Sequence, residues 1–247
     1  MKWLLLLLAS NAYAACDPRI SSQWDYTTLA PICGATSLQE NGGTSVRVTT
    51  TVCGPTGRSF SMVSDLNALF VSTGVTNVAA ASSMFAFDGY VYPSAFTNAV
   101  GCIWCASAGY SVYVSSGQKL AWASGGGTLT GASTLSLNTC YYYAFFKNTS
   151  GRREIWIKEN PVGTNFVATL DASDAVDGSY TTGNLIHGRG FGAGSFIVGF
   201  LNLPAFWVFT TAPSSFPPQI SNGQRSSMYY NRQRNVQGPG LPGGLRQ

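Results

Sequence analysis

From residue 84 to residue 209 the chain is built of short apolar-rich runs, each closed by glycine, asparagine, serine or proline. "TSVRVTTTV" and "REIWIKEN" alternate faces residue by residue, the period of a half-buried strand. "MFAFDGYVYP", "GCIWCA", "YSVYVSS", "KLAWAS", "GTLTGASTLSL", "CYYYAFFKN", "NFVATL", "NLIHGRG" and "SFIVGFLNLPAFWVFT" continue the series, and none has a helical period. Regular short strands with this punctuation predict an all-β chain, a two-sheet antiparallel sandwich or a jelly roll. In "CYYYAFF", Tyr141, Tyr143 and Phe145 share one face while Tyr142, Ala144 and Phe146 share the other, so both faces of that strand are expected to be covered. Pro204 donates no ladder hydrogen bond and predicts an edge or a bulge in the last strand.

Flanking segments divide the chain further. Residues 1–14 combine Lys2, an apolar stretch from Trp3 to Ala9 and the small-residue pattern Ala12-Tyr13-Ala14, and read as a secretory signal. The stretch is too short to span a bilayer. Residues 15–63 form a cysteine-containing β segment expected to pack on the main domain, the jelly roll of residues 64–213. Residues 214–247 are rich in proline, glycine, arginine and glutamine without apolar periodicity, and are expected to be disordered.

Composition agrees with the pattern: of 247 residues, 13% are aromatic and only 10% charged, which favours sheets joined by turns. The formal net charge of +4 is unevenly spread. Removing Lys2 and the tail residues Arg225, Arg232, Arg234 and Arg246 from the 14 bases leaves nine, against 10 acids. A near-neutral body lacks the clustered positive face of a nucleic-acid binder.

Six cysteines, Cys16, Cys33, Cys53, Cys102, Cys105 and Cys140, suit an exported, oxidised protein with three disulfides in one of 15 pairings. Modification of Cys16 as the first residue of a lipoprotein is the alternative and would leave five. Residues three apart on a regular strand face opposite ways, so Cys102 and Cys105 are expected in separate structural disulfides rather than in a redox pair. No histidine nearby could complete a zinc site. Asn148-Thr149-Ser150 is a glycosylation sequon in a turn, meaningful in a eukaryotic host.

The order of these runs resembles the successive strands of the laminin-G-like, concanavalin A-like jelly roll over residues 64–212. The resemblance matches the family's aromatic before "V-x-P" to Tyr90, Val91 and Pro93, and its "L-x-x-N-x-W" lead-in to Leu135, Asn138 and Cys140. It matches the last glycine-rich hairpin to Gly188, Gly190, Phe196, Gly199 and Leu201. Cys140 stands where the family has a buried tryptophan, which implies an aromatic anchor exchanged for a disulfide. The final strand lacks the acidic residue common in relatives, with Asn202 a weak substitute as a metal ligand.

Four chemistries are conceivable for these residues. Glucanases of the same superfamily carry a strand with three acids facing the groove. "EIWIKE" keeps Glu154 and Glu159 but has Trp156 in place of the middle one, and residues five apart on a regular strand face opposite sides. A Ser-His-Asp site would need His187, the single histidine, and there is no nucleophile elbow. Asp171, Asp174 and Asp177 form a possible loop calcium site, although their spacing is not that of an EF-hand. Binding remains: Trp104, Trp122, Trp156, Trp207 and Tyr141 to Tyr143 could stack on sugars, with Trp156, Trp122 and Tyr142 as ligand-binding candidates. The expected protein is thus an exported non-catalytic module for a glycan or surface polymer. The alternatives are a structural or adhesive protein of a virion or cell-surface assembly that contacts other proteins, and a glucan hydrolase.

Overall fold

The computed structural model describes residues 20–23, 33–34, 38–40, 46–48, 53–54, 59–62, 69–71, 84–96, 101–106, 110–148, 152–161, 166–175, 185–187 and 198–209. Among these every regular element is a strand. The first six are β1 (Ile20–Gln23), β2 (Cys33–Gly34), β3 (Leu38–Glu40), β4 (Val46–Val48), β5 (Ser59–Met62) and β6 (Leu69–Val71). Next come β7 (Met84–Ala95), β8 (Gly101–Ala106), β9 (Tyr110–Val114), β10 (Leu120–Ser124) and β11 (Gly127–Thr130). The last are β12 (Tyr141–Lys147), β13 (Arg153–Glu159), β14 (Thr169–Asp174), β15 (Leu185–His187) and β16 (Val198–Phe209). No helix among the described residues is long and apolar enough to cross a membrane.

The strands form two antiparallel sheets. The 9-stranded sheet runs β14-β13-β12-β7-β16-β1-β2, with β5 added to β16 and β4 to β5. The 7-stranded sheet runs β11-β10-β9-β8-β15-β6-β3. The short described strands within residues 15–63 pair with the strands of the main domain. Of these, β1, β2, β4 and β5 hydrogen-bond into one sheet and β3 into the other.

The sandwich interior follows from alternation. On β7, β12 and β13 the rows Phe87-Phe145-Ile155 and Val91-Tyr141 face inward, meeting Trp104, Tyr110, Val112, Leu120 and Trp122 from the other sheet. Burying each large apolar side chain contributes roughly 1.5–3 kcal/mol. Gly89 occupies an inward position between Phe87 and Val91, and a Cβ there would fall 2.6 Å from the Tyr143 hydroxyl. That hydroxyl instead accepts a hydrogen bond from Trp104 Nε1 at 3.2 Å. The outward face of the same strands is also covered: Met84, Ala86, Phe146, Ala205, Trp207 and Phe209 form one buried cluster, and Cys53, Tyr90, Tyr142, Ala144, Phe166 and Ala168 another.

Bulges decide three details. In β8, Cys102 opposes Tyr113 and Trp104 opposes Val112, so Ile103 is the extra residue. Ile103 and Trp104 both enter the core, and the phase shift turns Cys102 and Cys105 to one face. The two cysteines form a disulfide with each other across a Cα separation of 6.1 Å. This corrects the expectation of separate pairings, which assumed a regular strand. In β16, Asn202 opposes Tyr90 and Ala205 opposes Asp88, so Leu203 and Pro204 share the space opposite Gly89. Proline thus occupies a bulge in a strand that lies inside the sheet, between β7 and β1. The third bulge, in β14, bears on the site.

Candidate functional site

Candidates divide by which face of β12 and β13 carries them. Trp122 and Tyr142 are fully buried, as are Trp104, Trp207, Tyr141 and Tyr143, so none offers a surface to a ligand. Trp122 lies in the inter-sheet core, edge-on to Phe85 and Phe145. Tyr142 lies on the outward face, where its hydroxyl donates to Asp88 Oδ2 at 2.9 Å while Trp207 Nε1 donates to Asp88 Oδ1 at 2.9 Å. The Tyr142 and Trp207 polar groups are thus committed to a buried carboxylate, a role that the sequence pattern alone did not suggest.

Trp156 differs. It is half-buried on the outward face of β13, opposite Ala144 on β12 and Leu170 on β14, and packs against the cluster around Tyr142 and Phe166. Its indole Nε1 donates to Glu154 Oε2 at 2.9 Å, and Glu154 Oε1 accepts from Arg152 Nε at 2.9 Å. Arg152 Nη2 reaches Ser173 Oγ on β14 at 3.1 Å. The Arg152, Glu154 and Trp156 side chains therefore form one fixed strip. Leu170, 44% exposed, extends its apolar part, and Val167, 75% exposed, lies a few residues before it. The shared face of Glu154, Trp156 and Lys158 follows from strand alternation. The positions of Leu170 and Ser173 do not, because their register depends on a bulge between Ile155 and Trp156 that Asp171 fills.

The acids do not pair. Ile155 and Ile157 point into the core while Glu154 and Trp156 point outward, and Glu159 belongs by alternation with the isoleucines, at the exposed strand end. Strand β13 is also not an edge, since β14 covers it.

Asp171 and Asp174 sit on a strand rather than in a loop. The pattern places the strand on "NFVATL", whereas β14 begins at Thr169 and includes Asp171 and Asp174. Phe166 and Ala168 are buried in the outer cluster instead, and Asp174 ion-pairs with Arg153. Asp171 Oδ1 accepts from Ser133 N at 2.9 Å and Ser133 Oγ at 2.5 Å. Asp177 lies outside the described residues, and among those described no group of three His, Cys, Asp or Glu is placed to hold a metal ion. The side chain of His187 and the residues Cys16, Gly188, Gly190 and Phe196 also lie outside them, as do residues 1–14 and 214–247 and the Cys33 side chain. Cys140 pairs with Cys53.

No family model matches the chain, and no curated protein matches it in sequence. Solved structures share the fold. Domain 4 of AbnA, a GH43 extracellular arabinanase from Geobacillus stearothermophilus, in complex with arabinotriose, is 14% identical with a TM-score of 0.51, over 85% of this chain and 98% of that one. The binding domain of Paraclostridial Mosquitocidal Protein 1 is 12% identical with a TM-score of 0.57, over 87% of this chain. The botulinum neurotoxin serotype G binding domain is 12% identical with a TM-score of 0.55, over 86% of this chain. The chain spans about half the length of these two, 52% and 51% respectively. At such identities the similarity defines an antiparallel β-sandwich.

Proposed function

We propose that this chain is an exported, non-catalytic module of the concanavalin A-like, laminin-G-like type that binds a glycan on the outward face of β13, with Trp156 as the stacking residue. The observation that carries this reading is the anchoring of Trp156. Its ring is held by Glu154, itself held by Arg152, so little conformational entropy is lost when a sugar stacks on it. Leu170 widens the apolar surface, and Arg152 and Lys158 supply donors for ring hydroxyls. The opposed faces of Glu154 and Glu159 support a binding rather than a hydrolytic role. The arabinotriose held by the arabinanase domain makes arabino-oligosaccharides a sensible first probe within a wider glycan array.

The test is a glycan array followed by calorimetric titration. Wild type should bind a defined glycan class, and Trp156→Ala should lose at least about tenfold in affinity, ~1.4 kcal/mol, with circular dichroism unchanged. Binding that survives Trp156→Ala, or an array without a hit, overturns the reading. Exposed Val167 and Leu170 favour one alternative, adhesion to another protein. It predicts a pull-down partner lost with Leu170→Asp and an array without hits.

A further inference from the structure

Alternation sets Glu154, Trp156 and Lys158 in a row on the outward face of β13, with Arg152 leading into it. The charges of this row are unequally committed. Arg152 donates from Nε to Glu154 and from Nη2 to Ser173, and Glu154 accepts from both Arg152 and the Trp156 indole. That end is a closed, neutral ion pair. Lys158, half-buried at the other end, has no hydrogen-bond or ion-pair partner among the described residues.

No nearby described carboxylate is turned towards Lys158. It opposes Tyr142 on β12, whose hydroxyl donates to the buried Asp88. On β14, Asp174 is bound by Arg153, and Asp171 accepts from Ser133, which follows β11 of the other sheet. Glu159 belongs by alternation to the opposite side of β13, at the exposed strand end, and accepts from Asn160 Nδ2 at 3.4 Å. Trp156 thus stands between a neutralised pair on one side and an ammonium without a counter-charge on the other.

We propose that the glycan taken by this face is acidic: a sugar bearing a carboxylate or sulfate that pairs with Lys158 while its ring lies on Trp156. The proposal rests on the reading of Trp156 as a stacking residue. Two residues along a strand span about 7 Å, so a ring stacked on Trp156 carries its outer substituents towards the Lys158 ammonium. A neutral sugar covers that cation without pairing it, whereas an acid group replaces the water it displaces with a counter-charge. The ammonium is a compact point charge that takes carboxylate or sulfate oxygens alike. The row also gives the ligand a direction, because an acid group at its other end would meet the Glu154 carboxylate. With nine bases against 10 acids in residues 15–215, the preference comes from this one cation rather than from a broad positive field. An exposed pair of this kind supports a preference of about two- to fivefold.

The experiment presents the full chain with oligomers of galacturonate, glucuronate and sulfated galactose on an array. Each stands beside its uncharged counterpart, the methyl ester or the unsulfated oligomer, and each pair that binds is titrated calorimetrically at low salt. The acidic member should bind about two- to fivefold tighter than its counterpart. That ratio should fall to about one in Lys158→Gln, persist in Lys158→Arg, and shrink as ionic strength rises past about 0.15 M. Whether the uronates or the sulfated oligomer show the larger ratio identifies the acid group. Because each ratio compares two ligands on one variant, a general loss of folded protein does not imitate the result. Equal affinity within every pair, or a ratio that survives Lys158→Gln, overturns the proposal alone. Binding of no member of any pair, charged or uncharged, overturns it together with the reading of the face as a glycan site. Binding unchanged in Trp156→Ala overturns both as well, since the ring is then held elsewhere.

Discussion

Arg153 and Asp174 oppose each other across β13 and β14, and the guanidinium grips the carboxylate from Nε to Oδ1 at 2.9 Å and again from Nη2 to Oδ2. The remaining nitrogen, Nη1, spans to the other sheet, donating to Ser124 Oγ at 2.9 Å and to the Gly127 and Trp122 carbonyls at 3.0 and 3.3 Å. One buried arginine thus laces the two sheets together along the side where β11 and β14 are the outermost strands. A few residues away, Ala132 N donates to the Asp171 carbonyl and Ser133 to its carboxylate, which adds a second lace.

Removing Arg153 leaves a carboxylate that is only 23% exposed without its partner. Arg153→Ala is expected to cost about 3–5 kcal/mol in equilibrium denaturation. The double variant Arg153→Met, Asp174→Leu should cost less than the single one, since neither charge is then buried alone. A double variant worse than Arg153→Ala would mean that the hydrogen bonds to the second sheet, rather than the ion pair, carry the stabilisation.

Much of this arrangement was legible in the sequence and part was not, and the dividing line is physical. The inward set Tyr141, Tyr143 and Phe145, and the outward grouping of Glu154 with Trp156, follow from a period of two and hold wherever a strand is regular. The bulges in β8 and β14 break that period, and they are what joined Cys102 to Cys105 and placed Leu170 beside Trp156. A bulge is chosen by tertiary packing, here the insertion of Ile103 and Trp104 together into the core, and no local signal announces it. Arg153 reads as a surface charge for a similar reason: its inward phase is clear only once "REIWIKE" has a face, and its partner Asp174 was expected in a loop.

The two tryptophans taken together as binding candidates should separate experimentally. Trp122 has no exposed surface and fills the inter-sheet core, so Trp122→Ala is expected to lose about 3–5 kcal/mol of stability. Trp156 is half-buried, so Trp156→Ala should cost only about 1–2 kcal/mol and remove ligand affinity. Chemical denaturation of both variants beside the glycan titration checks this. Equal stability losses would place Trp156 in the fold rather than in recognition.

The disulfides should contribute unequally. Cys53 and Cys140 are 87 residues apart in sequence, whereas Cys102 and Cys105 are three apart within one strand. Loop-closure entropy assigns about 4–5 kcal/mol to a loop of the first size and about 2 kcal/mol to one of the second. Cys53→Ser, Cys140→Ser should therefore lower the denaturation midpoint more than Cys102→Ser, Cys105→Ser. The reverse order would show that the short bridge matters through the β8 bulge, by keeping Ile103 and Trp104 both pointed inward.

Glycine tolerance offers a last check on the register of β16 against β7. Gly199 has φ +149°, and a Cβ there would collide with the Tyr92 carbonyl oxygen and the backbone of Pro93 and Ser94. These are backbone atoms of the central strand, held by β12 on its other side, so they cannot yield cheaply. Gly199→Ala is expected to cost on the order of 3 kcal/mol, combining strain at an unfavourable φ with displacement of the ladder. Gly117, in the turn between β9 and β10, has 3.6 Å to its nearest atom, Ser115 Oγ, and Gly117→Ala should stay within about 0.5 kcal/mol of wild type. Thermal denaturation of the pair measures the contrast. A tolerated Gly199→Ala would mean that β16 sits in a different register on β7, which would also remove the bulge that accommodates Pro204.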